Sequence, residues 1–254
     1  MRWRTGVVVK RATRTLVRRA QFVGTRRYCA CCGSYLRSFA ACPRPPRPGR
    51  TTRADALCPV CGALERHRLA VKYLKTRTDL WDGRPKRLLH VAPERQLSAL
   101  LARIPQATYV SVDLMSKRAM VRADVTRLSF PDQCFDVIYC SHVLEHVPDD
   151  AAAMRELRRV LQPSGWAILQ VPVLRDMTFE DASITTPEGR LAAFGQHDHV
   201  RMYGKDYADR LRAAGFSVMV DSFAAELPEP LRRRWGVAAS EDIYLCQRPD
   251  HFTE

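Results

Sequence analysis

The sequence predicts an α/β protein: a doubly wound, mostly parallel sheet preceded by a small cysteine-bearing module. Three observations carry this prediction. From residue 87 onward, short apolar runs alternate with segments of helical period. Those apolar runs are nearly continuous, as strands covered on both faces require. Two copies of C-x-x-C-G lie before residue 63. At 254 residues, with 46% hydrophobic content, the chain can hold one full α/β domain and one accessory module.

Residues 1–28 read as a basic arm or helix, with Val9, Ala12, Leu16 and Ala20 on one face of a helix over Val7–Phe22. No Asp or Glu precedes Asp55, whereas 14 of the 41 Lys and Arg do, so the remaining 27 balance the 27 acidic residues. The whole net charge of +14 therefore sits on the arm and the module behind it. Such an arm can hold RNA, DNA or an anionic membrane surface, or be a solvated tail in an arginine-rich chain. No run of about 18 apolar residues offers a membrane span. The "GVVV" stretch is far shorter than the roughly 7–15 apolar residues of a signal-peptide core. A cytoplasmic location is expected.

Residues 29–64 form the module. Nine cysteines in a cytoplasmic chain argue for metal spacing rather than disulfides. "CACCG" (Cys29–Gly33) and "CPVCG" (Cys58–Gly62) each let two thiolates of a tight turn face one ion. The expectation is one structural Zn2+ held by Cys29, Cys32, Cys58 and Cys61, with Cys31 and Cys42 as spare thiols. A redox pair or an iron–sulfur centre is the alternative. The Pro- and Arg-rich stretch between the knuckles has no hydrophobic period and reads as a loop. A closed four-sulfur site leaves no position for substrate, so chemistry belongs elsewhere. Residues 65–86, opening on "ERHRLAVKYLKTR", read as a linking helix.

The larger domain, 87–254, supplies the strands "RLLHVA" (87–92), "TYVSVD" (108–113), "FDVIYC" (135–140) and "WAILQV" (166–171). Between the first two, Leu97, Leu100, Leu101 and Ile104 recur at helical spacing until Pro105. Before the last, Met154, Leu157, Val160 and Leu161 make the stripe, with acidic residues at the start and Pro163 and Gly165 as the stop. "YADRLRAAGFSVMVDSF" gives a helix and a strand, and a Pro-rich loop leads to "EDIYLCQ". Two closing strands without a crossover helix suggest an antiparallel hairpin at the sheet edge.

That ending, the stretch "ADVTRLSFPDQCFDVIYCSHVLEHVPDDAAAMRELRRVLQPSGWAILQVP" from Ala123 and the later "AGFSV" resemble class I S-adenosylmethionine-dependent methyltransferases of the type 11 group. The resemblance covers roughly residues 87–247. It implies a seven-stranded Rossmann-like sheet and S-adenosyl-L-methionine as methyl donor. Where the family carries a G-x-G turn after its first strand, this chain has Ala92 and Pro93. The resemblance places the cofactor among His90, Ala92, Glu94, Asp113, Leu114, Asp124, Val125, Ser141 and His142. Glu94 would face the ammonium, Asp113 the ribose hydroxyls and Asp124 the adenine amino group.

Residues 173–205, rich in His, Asp, Arg and aromatics and without a hydrophobic period, read as a substrate lid. Within "GQHDHVRMYG", His199 is the first choice for general base and His197 the second, because imidazoles exchange protons near neutrality. His142, Asp198, Arg201 and Tyr203 are expected to bind the acceptor. Nothing resembles the N-P-P-Y motif of amino-directed nucleic-acid methyltransferases, which favours O-methylation of a small molecule, sugar or natural product. The alternatives are an RNA methyltransferase whose module and basic arm hold phosphates, and a non-catalytic zinc-containing interaction protein on a degenerate methyltransferase fold.

Overall fold

The computed structural model describes residues 21–42 and 53–249. The helix expected over Val7–Phe22 and most of the Pro- and Arg-rich loop lie outside the described residues. The chain divides into two compact units. Among the described residues, one takes in those up to Thr78 together with Ser222–Glu241, and the other holds Asp79–Asp221 and those from Asp242.

In the first unit, β1 (Val23–Tyr28) pairs antiparallel with β2 (Tyr35–Leu36), and the first cysteine knuckle is the turn between them. The end of the expected basic arm is thus a strand. After the second knuckle comes α1 (Glu65–Arg77), which buries Leu69, Ala70, Val71, Tyr73 and Leu74. Its Arg68 is fully buried and donates to the carbonyls of Ala56 (2.9 Å), Ala63 (2.9 Å), Trp235 (2.6 Å) and Gly236 (2.8 Å). The guanidinium also stacks 3.7 Å from the Phe39 ring centroid. These bonds offset the cost of burying a charge, since four carbonyl oxygens receive the guanidinium's N–H groups. They also explain why α1 belongs with the cysteines rather than linking two domains, and why residues 222–241 join the same unit.

The second unit is built on a seven-stranded sheet. Its elements run β3 (Lys86–Val91), α2 (Arg95–Leu101), β4 (Ala107–Asp113), β5 (Val121–Arg122), β6 (Phe135–Ser141), α3 (Asp150–Val160), β7 (Leu161–Gln170), β8 (Val173–Arg175), β9 (Phe179–Glu180), α4 (Pro187–Phe194), β10 (Arg201–Gly204), α5 (Tyr207–Ala213) and β11 (Ser217–Asp221). The chain then passes through two short helices of the first unit, α6 (Phe223–Glu226) and α7 (Glu229–Trp235), and returns as β12 (Ile243–Gln247). Strand order is β11-β12-β7-β6-β3-β4-β5, parallel except that β12 is antiparallel to both its neighbours. The expected hairpin is present, but its connection is helical rather than a plain Pro-rich loop.

The α3 helix shows how local sequence sets the frame. Asp149 caps it by accepting from the Ala152 N–H at 2.8 Å, and Arg158 and Arg159 sit where the helix dipole favours cations. Its buried stripe, Ala153, Met154, Leu157 and Val160, packs with Ile138, Cys140, Ala167 and Leu169 of the sheet in the main core. The larger of these side chains, Met154, Leu157, Val160, Ile138 and Leu169, each contribute roughly 1.5–3 kcal/mol by leaving water. The helix ends at Val160 and the next strand begins at once, so Pro163 and Gly165 lie in the opening residues of β7. The segment expected as an aperiodic lid is a second sheet: β10 lies between β8, to which it is parallel, and β9, to which it is antiparallel. Phe194 and Tyr203 are its buried anchors.

Candidate functional site

Parallel pairing fixes which residues meet at the carboxyl ends of the strands. Val91 lies opposite Val112 on one side and Cys140 on the other, so the next residues, Ala92, Asp113 and Ser141, stand abreast. That edge of a doubly wound sheet is where ligands bind. Ala92 occupies the left-handed region (φ 49°), as does His142 (φ 56°). For residues with a Cβ this costs about 1–2 kcal/mol each, a strain that concentrates at functional sites. Ala92 thus takes the backbone shape that the expected glycine would have supplied.

The other expected cofactor residues divide by what already engages them. His90 is fully buried, with Nδ1 3.0 Å from the Tyr109 hydroxyl and Nε2 3.1 Å from a Glu94 carboxylate oxygen. These two residues hold each other at the first strand end. Asp113 Oδ1 accepts the N–H groups of Met115 (2.7 Å) and Ser116 (2.6 Å), which fixes the carboxylate at the tip of β4 beside the half-exposed Leu114. Asp124 Oδ1 is occupied by the N–H and hydroxyl of Thr126 (2.9 and 2.8 Å), with Val125 buried behind it. Ser141 is buried, and its Oγ has no hydrogen-bond partner among the described residues.

Beyond β6 the chain makes one 3-10 turn, Leu144–His146, and sequence reasoning missed what it carries. His142 Nδ1 lies 3.1 Å from Glu145 Oε1. Glu145 is 1% exposed, and its Oε2 is buried without a hydrogen-bond partner among the described residues. His146 Nδ1 approaches the Asp198 carbonyl (3.3 Å) and carboxylate (3.4 Å), and its ring meets that of His199 edge-on at 4.6 Å. His199 is buried, with Nε2 2.6 Å from the Gln196 side-chain amide. The Val200 N–H donates to the Glu145 carbonyl at 2.9 Å, tying the 196–200 loop to the turn. The structure therefore joins His142, Asp198 and His199 and adds Glu145 and His146. The signal was present in "HVLEH", whose spacing sets His142, Glu145 and His146 on one turn. His197 is exposed and outside this cluster.

Two expected acceptor contacts need correction. Arg201 is 4% exposed and donates to the carbonyls of Leu144 (2.9 Å), Val147 and Pro148 (2.8 Å) and to Glu180 (2.8 Å). Tyr203 is fully buried, its hydroxyl donating to Asp150 at 2.6 Å. Burial, and then the Asp150 charge, push the phenol well above its usual range. Both residues are buried and brace the turn from within. Arg201→Met should take a donor from three carbonyls and the partner from Glu180, and cost about 3 kcal/mol, lowering the unfolding midpoint of the second unit. An unchanged midpoint with a raised KM would restore the acceptor-binding role.

In the first unit the Sγ atoms of Cys29, Cys32, Cys58 and Cys61 all lie within 4.8 Å of one another, with Cys29 to Cys61 at 3.6 Å and Cys32 to Cys58 at 3.8 Å. Tetrahedral zinc with bonds of about 2.3 Å sets its sulfurs about 3.8 Å apart. Gly33 (φ 71°) and Gly62 (φ 76°) close the two knuckles, each donating its N–H to the carbonyl of the leading cysteine at 2.8 Å rather than to sulfur. Hydrogen bonds from Cys29, Cys58 and Cys61 lower the Cys32 thiol pKa. Cys29 is pushed up to about 11, chiefly by Cys31 and Cys32, and Cys58 and Cys61 are raised first by Cys29 and Cys32. A bound cation would favour the thiolate form of all four. Cys42 packs apart, with Ala56 and Leu64.

Sheet order and strand-end geometry define a Rossmann-like methyltransferase fold. Comparison with known proteins agrees: residues 93–169 match a family described as a methyltransferase domain. Over 115 residues the chain is 30% identical to the sterol 24-C-methyltransferase of Eremothecium gossypii, covering 44% of this chain and 30% of that protein. It is 28% identical over 119 residues to the ubiquinone biosynthesis O-methyltransferase of Paraburkholderia phymatum, covering 45% of this chain and 50% of that one. The chain thus spans half or less of the length of these relatives. An S-adenosylmethionine-dependent methyltransferase structure from Mesorhizobium loti shares the fold, with a TM-score of 0.51 at 16% identity over 69% of this chain and 95% of that one. Among the described residues, no helix is long and apolar enough to cross a membrane.

Proposed function

We propose that the protein transfers a methyl group from S-adenosyl-L-methionine to a hydroxyl of a small molecule, with a structural zinc in its first unit. The alignment of Ala92, Asp113 and Ser141 at adjacent strand ends carries this reading. The donor fits there because Ser141 Oγ is a buried polar atom with no hydrogen-bond partner among the described residues, and the Asp113 carboxylate is held with one oxygen committed to backbone. Asp113 Oδ2 would accept the ribose hydroxyls, and Ser141 and the half-exposed Leu114 would contact the sugar and base side. Glu94, anchored by His90, would face the ammonium group. When bound, the donor supplies an electrophilic methyl on a sulfonium. Four thiolates, from Cys29, Cys32, Cys58 and Cys61, would hold the zinc.

A hydroxyl acceptor must give up a proton as its oxygen bonds carbon. His199 is less suited to take it than the sequence suggested, since its Nε2 faces Gln196. His142 is better placed. It follows Ser141 at the strand end, its side chain is 28% exposed, and Glu145 holds its Nδ1, an orientation that favours proton uptake at Nε2. His199 is reassigned to shaping the same cluster. Calorimetry with S-adenosylmethionine tests the reading. Asp113→Ala should weaken binding about tenfold or more, the loss of one charge-assisted hydrogen bond, with the fold intact. An unchanged dissociation constant removes Asp113 from the site. Absence of binding by the unaltered protein overturns the enzymatic reading in favour of a non-catalytic one.

A further inference from the structure

The cluster beyond β6 holds more ligand chemistry than proton transfer needs. One carboxylate and two imidazoles, from Glu145, His146 and His199, bring their donor atoms within 4.8 Å of one another. Three ligands on a six-coordinate cation with bonds of about 2.1 Å lie roughly 3.0–4.2 Å apart, so small side-chain rotations close the set. The second and independent observation is Glu145 itself. It is 1% exposed, its Oε1 serves His142, and its Oε2 is buried with no hydrogen-bond partner among the described residues. A carboxylate oxygen left this way in an interior is unfavourable unless a cation completes it.

The surroundings are those of a held site. His146 is steered by the Asp198 carbonyl and carboxylate, and His199 by the Gln196 amide. Outer partners of this kind orient metal-binding imidazoles. The turn that carries Glu145 and His146 is clamped by Arg201 through three carbonyls, and the loop that carries His199 is joined to it through the Val200 N–H. We infer that Glu145, His146 and His199 form a binding site for a divalent transition cation, distinct from the four-cysteine site. Two nitrogens and one oxygen suit Mn2+, Fe2+, Co2+ or Zn2+ better than Mg2+, and three protein ligands leave positions open for an oxygen ligand. The cation's task, which rests on the methyltransferase reading, is to hold the acceptor oxygen beside His142 and make its proton easier to remove.

Mn2+ is the suitable probe, because it is a poor match for thiolates and leaves a zinc-loaded cysteine site alone. The full chain, with zinc content measured, would be titrated with Mn2+ while the free-ion paramagnetic resonance signal is followed. One Mn2+ per chain is expected. His146→Gln and His199→Gln should each weaken binding tenfold or more without changing zinc content. His146 is partly exposed and outside the main core, so its variant separates ligation from folding. No Mn2+ uptake by the unaltered protein, or full uptake by both variants, overturns the site. Calorimetry with S-adenosylhomocysteine on the same samples separates the two readings. Nucleoside binding without Mn2+ uptake removes only the cation site, and Mn2+ uptake without nucleoside binding removes only its role in methyl transfer.

Discussion

If the four-cysteine site holds zinc as proposed, removing it by chelation or by Cys58→Ser is expected to unfold the first unit. Apparent binding free energies of structural zinc are about 10–16 kcal/mol, as large as the whole stability of a small domain. The apolar cluster around the site, Cys29, Leu36, Phe39, Cys58 and Ala63, is too small to replace that contribution, and two of its five residues are themselves proposed ligands. The consequence reaches far along the sequence. Arg68 joins Ala56 and Ala63, next to the second knuckle, to Trp235 and Gly236, so loss of the knuckle releases the partners that make its burial tolerable. Hydrogen exchange should then show residues 53–78 and 222–241 losing protection together, although some 140 residues separate them. Metal analysis should give about one zinc per chain, falling to a small residue in Cys58→Ser. Full metal retention in that variant would sink the ligand assignment. Retained protection of 222–241 after chelation would sink its membership of the unit.

The sheet was legible because its signals are local. Near-continuous apolar runs mark β3, β4, β6 and β7, and each begins within one residue of the expected position except β7, which starts earlier at Leu161. The paired C-x-x-C spacing likewise depends only on neighbours along the chain, and its four thiols do converge. What could not be read depends on partners distant in sequence. The helix α1 looked like a linker because nothing in "ERHRLAVKYLKTR" announces that Arg68 meets carbonyls more than 160 residues away. Strands as short as β8, β9 and β10 are too brief to show a period, so the segment around them passed for a loop. Arg201 and Tyr203 looked like acceptor contacts because polarity alone does not distinguish a residue that faces solvent from one that satisfies buried carbonyls. Glu145 and His146 were passed over since their meaning appears only once the 196–200 loop brings His199 against them.

Loss of the His142 imidazole should lower turnover by about 10²–10⁴, the usual contribution of a positioned general base. The choice of substitution matters because His142 sits in the left-handed region at φ 56°, where most side chains are strained. Asparagine tolerates that backbone better than other residues and still offers Glu145 a hydrogen bond, but it takes up no proton. His142→Asn should therefore keep its unfolding midpoint and its affinity for S-adenosylhomocysteine while losing methyl transfer, followed as S-adenosylhomocysteine formed with a hydroxyl acceptor found by screening. A loss confined to turnover points to chemistry, whereas a parallel fall in affinity would make His142 a binding residue only. His142→Gly supplies a readout that structure alone would not move. Glycine adopts the same φ without strain and leaves a space shaped for the missing ring, so imidazole added to the medium should restore part of the rate. Absence of rescue together with an unchanged rate in His142→Asn would remove the base from this position.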